Sequence, residues 1–151
     1  MKSCFLLLIL PFFLLCSCNN SSENRNKNPR RDSIPAKIGN ALIQVEIADT
    51  LELRRLGLMY RKELPHNCGM LFKFDQVSKQ SFWMKNTFIP LDIGYIDSSG
   101  TLLEIYPMKP LDNRSTESLS DQIAMVLEMN QGWFRENKVS VGSRLFLLNH
   151  E

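Results

Sequence analysis

Residues 81–95, SFWMKNTFIPLDIGY, set polar side chains among residues that otherwise resemble a hydrophobic core. An aromatic ring beside a few convergent polar groups is typical of ligand-binding clefts, which makes Trp83, Lys85, Asn86 and Asp92 a candidate site. The same groups also suit scaffolding, in which Asp92 ties the loop 86–90 to its flanking strands, because a buried carboxylate is costly without donors. Both interpretations stay open, and scaffolding has the better odds because most buried polar groups serve structure.

A hydrolase-like enzyme is one alternative, with Asp92 and Glu128 as paired carboxylates and Arg61 or Lys85 binding an anionic group. General acid–base chemistry requires both carboxylates at one site with separated pKa values. The sequence does not show that the two segments are neighbours, and it contains no serine elbow, phosphate loop or zinc spacing. We therefore predict a binding or accessory module ahead of an enzyme, with a structural or assembly protein without ligand as a further alternative.

The first 17 residues have the pattern of a lipoprotein export signal. A positively charged start, Met1-Lys2, precedes the apolar run 5–15, which is shorter than the roughly 20 residues that a membrane-spanning helix needs. Leu15-Cys16-Ser17-Cys18 resembles a bacterial lipobox, in which Cys18 follows a small residue and would receive the lipid. Cys16 is the weaker candidate because Leu15 precedes it.

We predict that residues 18–36 form the lipidated cysteine and a flexible tether. Residues 19–33 contain five asparagines and, apart from Pro29, no apolar side chain, so they cannot bury enough surface to fold. Asn19 after Cys18 suggests, by resemblance to the sorting rule of enteric bacteria, the periplasmic side of an outer membrane if the organism has one. The expected partners are the membrane, through the lipid anchor, and a small molecule, glycan or envelope protein.

Composition is that of an ordinary globular domain, with 44% hydrophobic and 23% charged residues. The net charge of +2 falls to +1 when Lys2 leaves with the signal, since 17 basic residues then face 16 acidic ones. Nucleic acid is not an expected partner. Cys68 is then the one cysteine outside the signal and anchor, predicted to be a small buried side chain, with a reactive thiol as the alternative. The methionines fall in apolar segments and indicate core filling, so we expect neither a metal site nor a cofactor.

Hydrophobic patterning predicts about seven strands in residues 37–151, which we interpret as a single domain. One helix is expected, with Asp49 as N-cap and Glu52 completing a capping box, ending near Met59. A hairpin-type turn is expected at 97–100, a long polar excursion at 107–120 and a helical turn at 133–137. With few helices available for crossovers, the expected fold is mainly β, a compact antiparallel barrel or sandwich with one peripheral helix. The predicted strands cover 41–48, 70–74, 82–87, 91–96, 102–106, 123–129 and 144–149.

Four motifs in order, RRLGLMYR, GMLFKF, FWMKNTFIPLDIGYID and VLEMNQG, closely resemble domain-of-unknown-function family 192 from about Ala41 to the end of the chain. The resemblance implies a small, mostly β domain, often secreted or lipid-anchored, without an established activity. Together with Trp83, the polar positions of these motifs make up the candidate site. Those positions fall on Arg61, Lys85, Asn86, Thr87, Asp92, Asp97 and Glu128.

Overall fold

The computed structural model describes residues 33–148, which lie within a compact unit, Arg31–Glu151. The predicted signal 1–17, Cys18 and the tether up to residue 32 lie outside the described residues. The first strand begins at Ser33, inside the segment predicted as tether, so the folded domain takes in residues 33–36 as well. None of the helices described within 33–148 is both long enough and apolar enough to cross a bilayer.

The described residues form nine strands and two short helices. The predicted strands 41–48 and 91–96 agree with the structure residue for residue, and those at 70–74, 102–106, 123–129 and 144–149 shift by a few residues at their ends. In chain order the elements are β1 Ser33–Ile38, β2 Ala41–Ala48, α1 Leu51–Leu56, β3 Cys68–Lys73, β4 Ser81–Phe82, β5 Leu91–Ile96, β6 Leu102–Met108, β7 Thr116–Glu117, β8 Met125–Asn130, α2 Trp133–Glu136 and β9 Leu145–Leu147.

Seven of these strands form one sheet in the order β6-β5-β8-β3-β2-β1-β9, and β4 pairs with β7 separately. Every pair in the large sheet is antiparallel except β2 and β3, whose parallel crossover contains α1. The two edges approach each other where Thr101 bridges Arg144 and the Leu145 amide donates to the Gly100 carbonyl oxygen at 2.8 Å. The sheet is therefore curled but not closed along its length, which confirms the mainly β, barrel-like prediction.

The large sheet is buried on both faces because alternate residues of its central strands enter two different hydrophobic cores. One face carries Leu71, Ile96 and Leu127 and is covered by Trp133 and Phe134 of α2, both of which are buried. The other face lies under α1 and the β4–β7 ribbon. Its buried side chains include Met70, Phe72, Ile93, Tyr95 and Val126. A polar side chain on a central strand consequently points toward one of these two hydrophobic cores.

The predicted strand 82–87 is wrong beyond Phe82, because the chain turns there. The Met84 amide donates to the Asp112 carbonyl oxygen at 2.9 Å, and the Thr87 amide donates to the Met84 carbonyl oxygen at 3.1 Å. Asn86 adopts a left-handed conformation with φ of 55°, which asparagine tolerates better than most residues. The alternation of faces expected along residues 82–87 therefore does not apply.

The predicted start and end of α1 also need correction. Thr50, not Asp49, is the N-cap, since its side chain accepts a hydrogen bond from the Leu53 amide at 3.2 Å. Glu52 consequently does not occupy the third helical position that a capping box requires. The helix ends at Leu56 because Gly57 follows in a positive-φ conformation, before the predicted end near Met59.

Candidate functional site

A cavity of about 470 Å³ lies between α1, the second half of β3 and β4. This volume is within the range of small-molecule sites. Its walls are mainly apolar and aromatic, with polar groups at the mouth and at one deep position. The main wall residues are Leu51, Leu58, Met59, Phe72, Phe74, Phe82 and Trp83, and the polar lining comprises Arg54, Arg55, Gln80, Ser81, Thr87 and Glu128.

The helix α1 is fixed over the sheet by its own backbone and by Arg54. The Arg54 guanidinium donates to the carbonyl oxygens of Asp49 and Lys73, both at 2.7 Å, and so joins the start of the helix to the end of β3. At the other end, a Cβ added to Gly57 would lie 3.5 Å from the Phe72 ring. The helix thus forms a wall against β3 even though none of its own residues is fully buried.

Aromatic edge contacts build the opposite wall. The Phe82 ring meets Phe72 edge-on at 4.9 Å between centroids and Phe74 at 6.4 Å. The neighbouring Trp83 is half exposed, and the Lys85 Nζ lies 5.2 Å from its ring centroid. Such packing holds the rings at defined angles, so this wall presents a fixed surface to the cavity.

Glu128 is the deep polar group of the cavity. It lies in the middle of β8, directly between Met70 of β3 and Ile93 of β5, both fully buried. Its side chain is 4% exposed, and within residues 33–148 it has no hydrogen bond or ion pair. Burial raises the pKa of the Glu128 carboxyl to about 8, so the group is mainly a neutral acid at pH 7.

The domain provides partners for its other buried or half-buried carboxylates. Glu104 accepts hydrogen bonds from the Tyr106 hydroxyl and from the Leu119 and Ser120 amides, at 2.7 to 2.9 Å. Burial opposes the ionisation of Glu104, but these donors outweigh it and lower its pKa. Glu46 forms a two-pronged ion pair with Arg61 at 2.6 Å. Glu128 differs from this pattern, and an unsatisfied buried polar group is a recognised mark of a functional position.

Asp92 projects from the other face of the sheet. In the pairing of β5 with β8, Asp92 lies opposite Met129 and Glu128 lies opposite Ile93. Because adjacent residues of a strand point to opposite faces, the two carboxylates lie on opposite sides of the sheet. Asp92 is 8% exposed, and its carboxylate accepts a hydrogen bond from the Gly132 amide at 2.8 Å, which ties β5 to the start of α2. Burial raises the pKa of Asp92. The prediction that Asp92 and Glu128 act as paired carboxylates is therefore wrong.

The remaining predicted residues fall into two groups. Trp83 and Thr87 line the cavity together with Glu128, and Lys85 lies against Trp83. Asn86 is next to this group, and its side-chain amide donates to the Tyr60 hydroxyl at 2.8 Å.

Arg61 and Asp97 lie away from the cavity. The ion pair of Arg61 with Glu46 has both side chains 17% exposed. Asp97 accepts hydrogen bonds from the Ser99 hydroxyl and from the Ser99 and Thr101 amides, which confirms the predicted turn at 97–100. Burial opposes the ionisation of Asp97, yet these hydrogen bonds outweigh it and lower its pKa. We infer that both residues are scaffolding.

Several residues of the cavity wall were not predicted from the sequence, chiefly Met59, Phe72, Phe74 and Arg55. The strand pattern of GMLFKF contained a usable signal, because its two phenylalanines are two residues apart and must point to the same face. Arg55 and Met59 belong to the RRLGLMYR motif, but no periodicity there indicated a cavity. Their contribution depends on where the β2–β3 crossover places α1.

Cys68 is half buried, and burial together with the negative charge of Glu46 raises the pKa of its thiol. A thiol that stays protonated is a poor nucleophile, which favours the structural interpretation. In the described part of the chain, no three His, Cys, Asp or Glu side chains are grouped closely enough to hold a metal ion. The methionines act as core filling, as predicted: Met70, Met84, Met108 and Met129 are buried, and Met59 and Met125 are half buried.

Comparison with known proteins agrees with the fold. The profile of DUF192, described as uncharacterized ACR, matches residues 34–147. The crystal structure of a proposed transcription regulator from Sinorhizobium meliloti 1021 is 34% identical and covers 76% of this chain and 93% of its own, with a TM-score of 0.73. A protein of unknown function from Novosphingobium aromaticivorans DSM 12444 is 27% identical and covers 76% of this chain and 84% of its own, with a TM-score of 0.72. No curated protein matches.

Proposed function

Because the chain belongs to the DUF192 family, whose description names no reaction, we propose a function from the site itself: a lipid-anchored envelope module that binds a small molecule in the cavity under α1. The observation that carries the proposal is Glu128, a carboxyl without a partner at the deep end of an aromatic cavity. A domain that satisfies its other buried carboxylates retains this one at a cost of several kcal/mol. A ligand that supplies the missing hydrogen bonds accounts for the arrangement.

We do not extend the description of the Sinorhizobium protein to this chain. A DNA-recognition helix lies in the major groove and contacts bases over two or more turns. The two helices within residues 33–148 have six and four residues, and the net charge of the whole chain is +2. The features that favour a role here are those of the cavity.

The binding role is tested with the uncharged dye N-phenylnaphthylamine, whose fluorescence rises in apolar surroundings. We expect saturable binding to the fragment 31–151, a compact unit that contains both hydrophobic cores. Met59→Trp places a large ring in the cavity and should weaken binding about tenfold or more, since one misfitting group readily costs 1.4 kcal/mol. Leu119→Trp is the matched control, because Leu119 is highly exposed and lies outside the cavity. No saturable binding, or equal binding by both variants, contradicts the role.

The anchor is tested separately on the full chain in a bacterial host fed with a clickable palmitate analogue. We expect the label on the wild type and on Cys16→Ser, and its loss in Cys18→Ser, because Ser17 provides the small residue that the cleavage site requires. Label that survives in Cys18→Ser and disappears in Cys16→Ser would move the anchor to Cys16. Absence of label from the wild type would refute lipidation.

A further inference from the structure

The chemistry of the cavity defines the class of its ligand, given the binding role proposed above. We propose that the cavity takes a primary amine on an apolar body, with the ammonium group against Glu128 and the body between α1 and the aromatic wall. The ammonium supplies three donors and a compensating charge to a carboxyl that has neither. Among the described residues that line the cavity, Glu128 is the one ionisable side chain at the deep end, because the two arginines are on α1.

Other ligand chemistries fit the deep end less well. An anion at the deep end would lack a positive partner there, because the cavity's two arginines are on α1, and it would also prevent Glu128 from ionising. A hydroxyl offers one donor and no charge, and charge-assisted hydrogen bonds are roughly twice as strong as neutral ones. The domain itself gives Glu104 three donors and Glu46 an arginine. An ammonium group is the ligand counterpart of those partners.

The aromatic wall suits both parts of such a ligand. Phe72 and Phe82 present apolar surface to the body. Two rings of the same wall already hold cations, since Lys85 Nζ lies 5.2 Å from the Trp83 centroid and the Arg54 guanidinium 5.6 Å from that of Phe74. Cations are attracted to ring faces of this kind, so an ammonium group passing the mouth meets compatible surfaces.

Charge at the mouth sets the orientation of the ligand. Arg54 is bound to backbone carbonyl groups, but Arg55 is exposed and has no ion pair within residues 33–148. The mouth is thus positive and the deep end acidic. In the bound state the ammonium group therefore lies at the deep end, and a neutral or anionic tail lies near Arg55.

Binding in this form releases a proton. In the empty cavity Glu128 carries its proton below pH about 8. When the ammonium group arrives with its three N–H bonds intact, the Glu128 O–H bond breaks and that proton passes to solvent, leaving the carboxylate paired with the ammonium. The charged or titratable groups around this face, among the described residues, include Glu52, Arg54 and Arg55 of α1, Glu46 of β2, Cys68 of β3, Lys85 after β4, Tyr95 of β5, Glu104 and Tyr106 of β6 and Glu117 of β7.

The test is isothermal titration calorimetry of the fragment 31–151 with three probes of one apolar body: phenylpropylamine, phenylpropanol and phenylpropionate. At neutral pH we expect the amine to bind about tenfold or more tightly than the alcohol, and phenylpropionate to bind most weakly. The amine's dissociation constant should fall about tenfold for each pH unit up to the Glu128 pKa of about 8, because the ionised fraction rises by that factor. The alcohol should show no such rise.

Two variants locate the effect. Glu128→Gln keeps the size of the side chain and should remove both the preference for the amine and the pH dependence, while circular dichroism checks its fold. Glu63→Gln, the same change at an exposed position outside the cavity, should behave as the wild type. If the alcohol binds as tightly as the amine, or the amine's affinity is flat with pH in the wild type, the ligand class is wrong and the binding role stands. If none of the probes binds and the dye does not bind either, the binding role fails as well.

Discussion

Replacement of Glu128 by glutamine should stabilise the domain by an amount that depends on pH. The folded state raises the pKa of this carboxyl from 4.5 to about 8, so between these values the folded domain keeps a proton that the unfolded chain has lost. Stability from this group is therefore fully present below pH 4.5, falls as the pH rises toward 8, and is constant above that. Glutamine does not titrate and removes this fall.

The magnitude follows from the same two pKa values. Each pH unit between them costs about 1.4 kcal/mol of unfolding free energy. The wild type should thus lose roughly 3 kcal/mol between pH 4.5 and pH 7 through Glu128, and roughly 5 kcal/mol by pH 9. We expect Glu128→Gln to have a stability within about 1 kcal/mol of the wild type near pH 4.5 and to exceed it by these amounts at higher pH.

The assay is urea unfolding of the fragment 31–151, followed by far-ultraviolet circular dichroism at several pH values between about 4.5 and 9. The difference between variant and wild type isolates Glu128, because the remaining titratable groups are common to both. Glu63→Gln is the control and should differ from the wild type by no more than about 0.5 kcal/mol throughout, as exposed substitutions usually do. A constant difference across this range would mean that Glu128 is solvated or paired in solution, and the basis of the binding proposal would be lost.

Three further outcomes test the scaffolding assignments by urea unfolding. Asp92→Ala should cost about 1 to 3 kcal/mol, because the half-buried Gly132 amide loses its acceptor, and should leave dye binding unchanged, since Asp92 is on the other face of the sheet. Arg61→Met should cost about 2 kcal/mol, whereas Arg114→Met, which breaks an ion pair whose arginine is 83% exposed, should leave the stability nearly unchanged. Thr50→Ala should cost about 1 kcal/mol and Asp49→Ala less than about 0.5 kcal/mol, and the reverse order would restore Asp49 as the cap.

The strands that the sequence predicts correctly are those whose local amino-acid pattern agrees with their surroundings in the folded sheet. ALIQVEIA and LDIGYI are rich in β-branched residues and are bounded by turn residues, so both were predicted with the bounds that β2 and β5 have. Strand β1, SIPAKI, was not predicted because Pro35 and Lys37 weaken its strand-like sequence pattern. Its place between β2 and β9 depends on pairing partners distant in sequence.

The strand predicted over the segment WMKNT is wrong for the opposite reason. Its composition favours a strand, yet long-range hydrogen bonds, such as that from the Met84 amide to the Asp112 carbonyl oxygen, impose a turn. The same turn places Thr87 and Trp83 at the cavity. Trp83 and Thr87 were predicted as site residues and do line the cavity. The turn places them there, and the alternation of a strand would not have done so.

The choice between an enzyme with paired carboxylates and a cavity with a single acid depends on one residue of register. Asp92 and Glu128 both interrupt apolar strands, and the sequence identifies each as unusual without relating one to the other. Had β5 and β8 paired one residue differently, both carboxylates would face the same side of the sheet. Instead, Asp92 meets the Gly132 amide among the packing residues of α2, and Glu128 faces the cavity under α1 without a partner. The same residue type is thus scaffolding on one face and a candidate ligand contact on the other, and the antiparallel pairing of two strands more than 25 residues apart decides which.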